Sequence, residues 1–407
     1  TGGTMCPSYM ATRRERDTTR ARANILRQYY TAGYLPGSTT PDTTPEMVKE
    51  VLDLCLSCKG CKAECPSSVD VGKMKAEFTQ QQYDTHGVPF RSRLVANFTK
   101  QMALAAVAPW AYNVVFGNPT LRKTANRLVG FHPNRSMPLL HRQTLRRWFE
   151  TRQKKNRKDV EKPNGKVYLF CDEFTNYNDV EVGQKAVYLL ESLGYEVAIP
   201  AHVESGRTYL SKGLVKEAQK IADRNVRLLK ALISEQTPLV GIEPSAILTF
   251  RDEYPDLVSP ELREDARLLG RQALLLEEFV ARERAANRIQ PTQFTTEKRL
   301  IKLHGHCHQK ALSSLTDAKK ALSLPANYTV QLIPSGCCGM AGSFGYEEEH
   351  YDLSMQIGEL VLFPAVRQQP EEVLIAAAGT SCRHQIKDGT GRKSLHPVEI
   401  LWEALKK

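Results

Sequence analysis

The chain has 407 residues, 41% hydrophobic and 25% charged, with ten cysteines and a formal net charge of +11. That length predicts two or three domains with substantial cores, and the composition is ordinary for a soluble protein. Ten cysteines are compatible with secretion on count alone, but they fall into tight groups, which reads instead as metal ligation in a reducing compartment.

In chain order, residues 1–90 read as helices joined by loops. The opening Thr1-Gly-Gly-Thr lacks Met and reads as a cut or processed start, so the absence of a visible signal peptide is uninformative. Asp17 to Tyr30 is rich in helix formers, and Tyr34-Leu-Pro-Gly with the Pro41 region interrupts it. Thr44-Pro45-Glu46 then opens a helix, with Pro at an early helical position, and Lys73 to Asp84 is a further helix.

Cys55, Cys58, Cys61 and Cys65, followed by Pro66, have the C-x2-C-x2-C-x3-C-P spacing of the bacterial ferredoxin run, which holds [4Fe–4S] clusters. Two-residue gaps let one loop aim three sulfurs at three corners of a cube. The fourth Cys of such a run ligates the other cluster of a pair. Cys6-Pro7 fits the end of a second run, so Cys6 with Cys55, Cys58 and Cys61 is the expected set for one cluster. Cys65 would then serve a second cluster whose other ligands lie upstream of Thr1. The alternatives are a single cluster closed by Cys65, with Cys6 a small buried hydrophobe, or a disulfide knot or zinc site.

Residues 91–158 hold fifteen Lys or Arg and one acid, Glu150, so the basicity belongs to this segment. Beside a redox motif, such a surface suits an acidic partner domain or an anionic membrane better than nucleic acid. Gln101 to Leu121 carries no charge, but Pro109, Asn113, Gly117, Asn118 and Pro119 interrupt it, which argues against a membrane span. Trp110, Tyr112 and Phe116 are expected in a core or domain contact, with an interfacial role as the alternative. Gln153 to Pro163 is a highly charged linker and the expected boundary.

From Gly165 short apolar runs alternate with helical patterns, which predicts parallel α/β sheets. Strands are expected at Lys166–Phe170, Tyr195–Ile199, Leu239–Ile242, Arg299–Leu303, Thr329–Ile333 and Glu372–Ala377. Cys307, the Cys337–Cys338 pair and Cys382 each follow a strand, where open α/β sheets place ligands. The expected fold is an α-helical two-cluster ferredoxin-type domain, followed by a two-lobed α/β domain. The expected parts are residues 1–90, a basic helical region 91–162, a first lobe 163–290 and a second lobe 291–407. The four cysteines should converge on one pocket between the lobes, near Cys171 and residues 204–206.

His304-Gly-His306-Cys307-His308, Ser335-Gly-Cys337-Cys338-Gly339 and Thr380-Ser-Cys382-Arg383 carry a resemblance to the cysteine-rich CCG domain family over roughly residues 165–405. Its members include the heterodisulfide reductase B subunit and iron–sulfur subunits of anaerobic glycerol-3-phosphate dehydrogenase and glycolate oxidase. The sequence departs from the pattern at Glu204-Ser-Gly206, at Ala246 and at Gly379, so the first lobe resembles a degenerate scaffold. The resemblance implies one metal site, Cys307, Cys337, Cys338 and Cys382, holding an iron–sulfur cluster or zinc. His306, His308 and His384 are candidate ligands or supporting donors, each more often simply structural, and Cys171 is a candidate from the facing lobe.

The order of cluster helices, linker and CCG lobes resembles the C-terminal part of large bacterial FAD-linked oxidoreductases. That resemblance implies an upstream FAD domain oxidising a D-2-hydroxy acid such as D-lactate, D-2-hydroxyglutarate or glycolate. Electrons would pass through 4Fe-4S clusters to a quinone or redox protein, and no catalytic residue would lie in this chain. It also implies a cytoplasmic protein, with peripheral attachment at the inner face of the membrane as an option, and no nucleic-acid partner. The alternatives are a standalone electron-transfer subunit, heterodisulfide-reductase-like disulfide reduction, and a colourless zinc scaffold.

Overall fold

The structure is a computed structural model that describes residues 5–31, 43–155 and 164–406. The readings at Thr1-Gly-Gly-Thr, Tyr34-Leu-Pro-Gly and Pro41, and residues 156–163 of the Gln153–Pro163 linker, lie outside them. Gln153–Lys155 close the helix Leu145–Lys155.

The helical part forms as its capping signals predict. Helix Pro45–Asp53 starts at Thr44, whose hydroxyl accepts from the Met47 amide, and Val71–His86 starts at Asp70, whose carboxylate accepts from the Lys73 amide. Leu26, Val48, Leu52, Val71 and Phe78 bury against one another and hold these helices to Thr19–Thr31. Between them lies the short helix Gly60–Glu64, which carries Cys61 and ends at Cys65.

Two parallel sheets follow. Strands β1 (Lys166–Phe170), β2 (Glu196–Ala198), β3 (Leu239–Gly241) and β4 (Ala273–Leu275) form the first, in the order β2-β1-β3-β4. Strands β5 (Arg299–His304), β6 (Tyr328–Leu332) and β7 (Leu374–Ala377) form the second, in the order β6-β5-β7. β4 is absent from the sequence reading. It has three residues and runs directly into helix Leu276–Ala285, so Ala-Leu-Leu-Leu-Glu-Glu-Phe-Val reads as helix throughout. Six strands fall where expected.

One apolar cluster runs through both sheets, joining Val167 and Leu169 of β1 to Ile301 and Leu303 of β5. Helices Val180–Ser192 and Pro397–Ala404 pack between them, with Tyr188 stacked on Trp402 at 5.4 Å. β1, β3 and β7 are buried on both faces, which is why they are apolar runs, whereas the edge strand β6 alternates and buries mainly Val330. Each buried aliphatic side chain contributes about 1.5–3 kcal/mol.

Arg135 fastens the basic segment to the second sheet. It is fully buried and donates to the Gly345 carbonyl at 2.5 Å, Gln385 at 2.7 Å and Ser354 at 2.8 Å. The core reading of Trp110 fails: it is 72% exposed, and helix Pro109–Gly117 has no buried residue. Pro109 starts that helix and Pro119 the next, so the charge-free stretch is broken into short pieces on the surface. No helix among the described residues is long and apolar enough to cross a membrane.

Candidate metal centre and electron-transfer site

The cysteine loop of the helical part is built at a backbone cost. Ser57 and Lys59 hold φ of 50° and 61°, and Cys6 and Ser68 hold 50° and 53°. Left-handed non-glycine residues cost about 1–3 kcal/mol each and gather where function over-determines the backbone. Here they turn the chain tightly around Cys55, Cys58, Cys61 and Cys65.

Lys59 anchors this loop. It is 3% exposed and lies 3.0 Å from Asp70, 2.6 Å from Asp252 and 3.0 Å from Glu253. Burial works against its charge, but these carboxylates more than compensate and raise its pKa. Asp252 and Glu253 lie in the chain between β3 and β4, so the ammonium ties the loop to the part that carries the first sheet.

The donor set fits iron–sulfur ligation. Cys65 is pulled toward thiolate chiefly by the Val69 and Ser67 backbone amides. Cys58 and Cys61 also receive backbone N–H groups, from Gly60 and from Val71 and Lys62 respectively, although burial pushes both thiols up. Amides aimed at sulfur stabilise a bound thiolate and tune a cluster's potential. Cys6 sits at the start of helix Pro7–Thr12, 2.5 Å from the Thr19 hydroxyl and 3.7 Å from Arg22. Arg22 also donates to the Val51 carbonyl at 3.3 Å, linking Cys6's surroundings to the helix that leads to Cys55.

The second site lies at the carboxyl ends of β5, β6 and β7. Their pairing sets Leu303 beside Leu332 and His304 beside Ala377, so the three following loops share one edge. The Cys307 and Cys337 sulfurs are 3.9 Å apart. Cys338 neighbours Cys337, Cys382 and His304. The four cysteines therefore converge, as the strand order requires. Contact divides their roles: the neighbouring Cys337 sulfur lowers Cys307, and Cys338, flanked by Cys337 and Cys382, falls well below the usual thiol value, while Cys337 and Cys382 are raised. The Gly339 amide donates to Cys337 at 3.3 Å. Gly339 itself has φ of 95°, and a Cβ there would overlap the Ser354 carbonyl oxygen, so only glycine fits after the cysteine pair.

The surroundings of this site differ from the expected ones. Cys171 packs in a separate cluster with Leu145 and Val180, and its thiol lies 3.5 Å from Asn176. Ser205 is engaged by Glu173 at 2.6 Å. The first sheet reaches the site instead through Glu243, just past the end of β3, which accepts from the Thr380 amide at 2.8 Å, two residues before Cys382. The other neighbour is the ferredoxin loop. Cys58, Leu56, Cys307, Cys337, Phe344 and Ile357 form one buried apolar cluster.

The histidines take different places. His306 caps helix Cys307–Leu312 by accepting from the His308 amide. His308 reaches the Ser57 carbonyl, and His384 is buried, which lowers its pKa against the nearby charges of Asp179 and Asp388. His304, which sequence reasoning did not single out, groups with Cys338 and Cys382: a ring nitrogen and both sulfurs lie within 4.8 Å of one another. Its place at the end of a strand, three residues before Cys307, was the available signal.

The class follows from the match of residues 3–70 to the 4Fe-4S dicluster domain family: the helical part is a ferredoxin-type iron–sulfur domain. Among particular proteins, the chain is 30% identical over 364 residues to D-2-hydroxyglutarate dehydrogenase of Escherichia coli, covering 88% of this chain and 35% of that protein. It is 23% identical over 347 residues to the C subunit of anaerobic glycerol-3-phosphate dehydrogenase of Escherichia coli, covering 84% of this chain and 83% of that one. Lactate utilization protein A of Bacillus licheniformis is 28% identical over 243 residues, 58% of this chain and 96% of its own length. The chain thus spans about a third of the length of the dehydrogenase it matches at 30% identity. No solved structure gives a significant match.

Proposed function

We propose that this chain is the iron–sulfur electron-transfer portion of an FAD-linked oxidoreductase acting on a D-2-hydroxy acid, with D-2-hydroxyglutarate, D-lactate and glycolate as the candidate substrates. Cys6, Cys55, Cys58 and Cys61 hold one 4Fe-4S cluster, and Cys65 contributes to a second. Cys307, Cys337, Cys338 and Cys382 hold a further metal centre, iron–sulfur or zinc. The two sheets correspond to a degenerate and an intact CCG lobe, with parts at residues 1–90, 91–162, 163–290 and 291–407. The flavin and the substrate-activating residues belong to a separate part, and the final acceptor is a quinone or redox protein. The protein works in the cytoplasm, with attachment at the inner membrane face as an option.

Bound clusters would supply one-electron redox chemistry. This chain's residues would hold them by thiolate, donate backbone N–H groups to the sulfurs, and exclude water. The observation that carries the reading is the shared buried cluster of Cys58 and Cys307, which puts the ferredoxin loop against the second cysteine site. Anaerobic titration of the full chain with a reduced flavoprotein dehydrogenase tests it: spectral bleaching of the clusters is expected, and an inert chain with its clusters intact overturns it.

A standalone subunit is the second reading, favoured by the near full-length alignment with the glycerol-3-phosphate dehydrogenase C subunit. Tight co-purification with a separately encoded flavoprotein would decide for it.

A further inference from the structure

We propose that His304 is a metal ligand of the second site, giving it a mixed imidazole–thiolate donor set through Nε2. This rests on the reading that Cys338 and Cys382 hold metal there, and it adds a nitrogen donor to that reading.

Three observations carry it. His304 is 1% exposed, its Nε2 makes no hydrogen bond to a nitrogen or oxygen atom, and its ring lies beside the Cys338 sulfur. A buried polar atom without a strong partner is costly, and metal ligation is one way to satisfy it. Its other nitrogen is fixed: Nδ1 lies 2.7 Å from the Ser335 hydroxyl, two residues before Cys337. Ligating histidines are oriented in this way, by a hydrogen bond to the nitrogen that does not bind metal. The third observation is the group itself, with a His304 ring nitrogen and the Cys338 and Cys382 sulfurs within 4.8 Å of one another.

The lost cysteine at Gly379 gives the donor a purpose. A Cβ on Gly379 would stand 2.5 Å from Cδ2 of His306 and 3.3 Å from the Cys382 sulfur. The His306 ring therefore fills the place a side chain at 379 would need, and no thiolate could enter from there. An imidazole from β5 restores the donor count with one less negative charge. In an iron–sulfur centre, histidine in place of cysteine raises the reduction potential, which would suit a terminal position after the ferredoxin clusters.

The test measures metal on the full chain, prepared anaerobically, with iron, sulfide and zinc determined and retention followed against a graded chelator series. His304→Ala should lose the second-site metal at chelator concentrations at least tenfold lower, while the ferredoxin clusters keep their electron paramagnetic resonance signal. His304→Cys should restore retention, which separates lost ligation from lost folding. Loss of either iron or zinc with the imidazole supports the assignment, and the elemental analysis names the metal. Unchanged retention in His304→Ala overturns it, as does loss in His306→Ala with His304→Ala unaffected. If Cys338→Ser and Cys382→Ser also retain all metal, the underlying site reading fails, a different outcome from failure of His304 alone.

Discussion

His308 Nε2 stands 3.1 Å from the carbonyl oxygen of Ser57, 251 positions earlier in the chain. Burial holds the ring well below its ordinary pKa, so it is neutral and Nε2–H donates. The bond joins a left-handed residue of the ferredoxin loop to the helix that begins at Cys307. Together with the cluster around Cys58 and Cys307, it makes the two cysteine sites one continuous structure.

Lys59 should dominate the stability of that junction. Lys59→Met removes the cation from Asp70, Asp252 and Glu253, of which Asp252 and Asp70 are 2% and 6% exposed. Breaking a buried pair from one side costs about 3–5 kcal/mol. Asp252 keeps Lys62 and Lys73 and Glu253 keeps Arg207, so the stranded carboxylate is chiefly Asp70 and the loss should be about 3 kcal/mol. Urea denaturation should show a loss of that size, with the ferredoxin loop releasing iron before the sheets unfold. A change under about 0.5 kcal/mol, the range of an ordinary surface substitution, would mean that Lys59 is not the anchor.

The strands and the four-cysteine convergence were legible because they depend on local patterns. Apolar runs such as Lys166–Phe170 mark buried parallel strands, and three cysteine groups just past strands can only meet if those strands are neighbours. What the second site faces was not legible. Cys171 follows β1 just as Cys307 follows β5, yet its thiol turns to Asn176, while Glu243 of β3 reaches the site instead. Which loop meets which is decided by how the two sheets and the helical part pack, and periodicity carries none of that. Trp110 misled for a related reason: an aromatic in a charge-free stretch suits a core and an interface equally, and exposure tells them apart.

His350 couples the junction to pH. It lies 2.8 Å from Asp53 in the helical part and 3.1 Å from Glu347 in the chain between β6 and β7. Burial pulls its pKa down, but hydrogen bonds to these carboxylates more than offset that and lift it to about 9. An unfolded histidine titrates near about 6.5. The contribution is therefore full below about 6.5 and is lost as pH rises through about 9. Allowing for solvent screening at half-exposed Asp53, the loss should be about 1–2 kcal/mol. Stability measured from pH 6 to 9.5 should fall by that amount and be flatter in His350→Gln; equal slopes would remove His350 from the account.

The basic segment should govern partner association. With fifteen Lys or Arg against Glu150 over residues 91–158, docking to an acidic flavin part weakens as salt shortens the Debye length from about 10 Å at 0.1 M to about 3 Å at 1 M. Electron transfer between separately prepared parts should slow across that range. Salt-independent rates with tight nucleic-acid binding would reverse the assignment.

The ligand assignment separates Cys6 from Cys65. Cys6→Ala should degrade the cluster held by Cys55, Cys58 and Cys61, and Cys65→Ala should leave that cluster in place. The reverse pattern, seen by electron paramagnetic resonance of the reduced chain, would assign Cys65 to it and make Cys6 structural.

The central claim is that this chain carries electrons on iron–sulfur clusters. Determination of iron, acid-labile sulfide and zinc in the anaerobically prepared full chain, with the spectrum before and after dithionite, tests it most directly. Iron and sulfide are expected in equal amounts, about four of each per cluster as in a [4Fe–4S] centre, with a brown chromophore that bleaches on reduction. A colourless chain with zinc at both cysteine sites and no sulfide would contradict it.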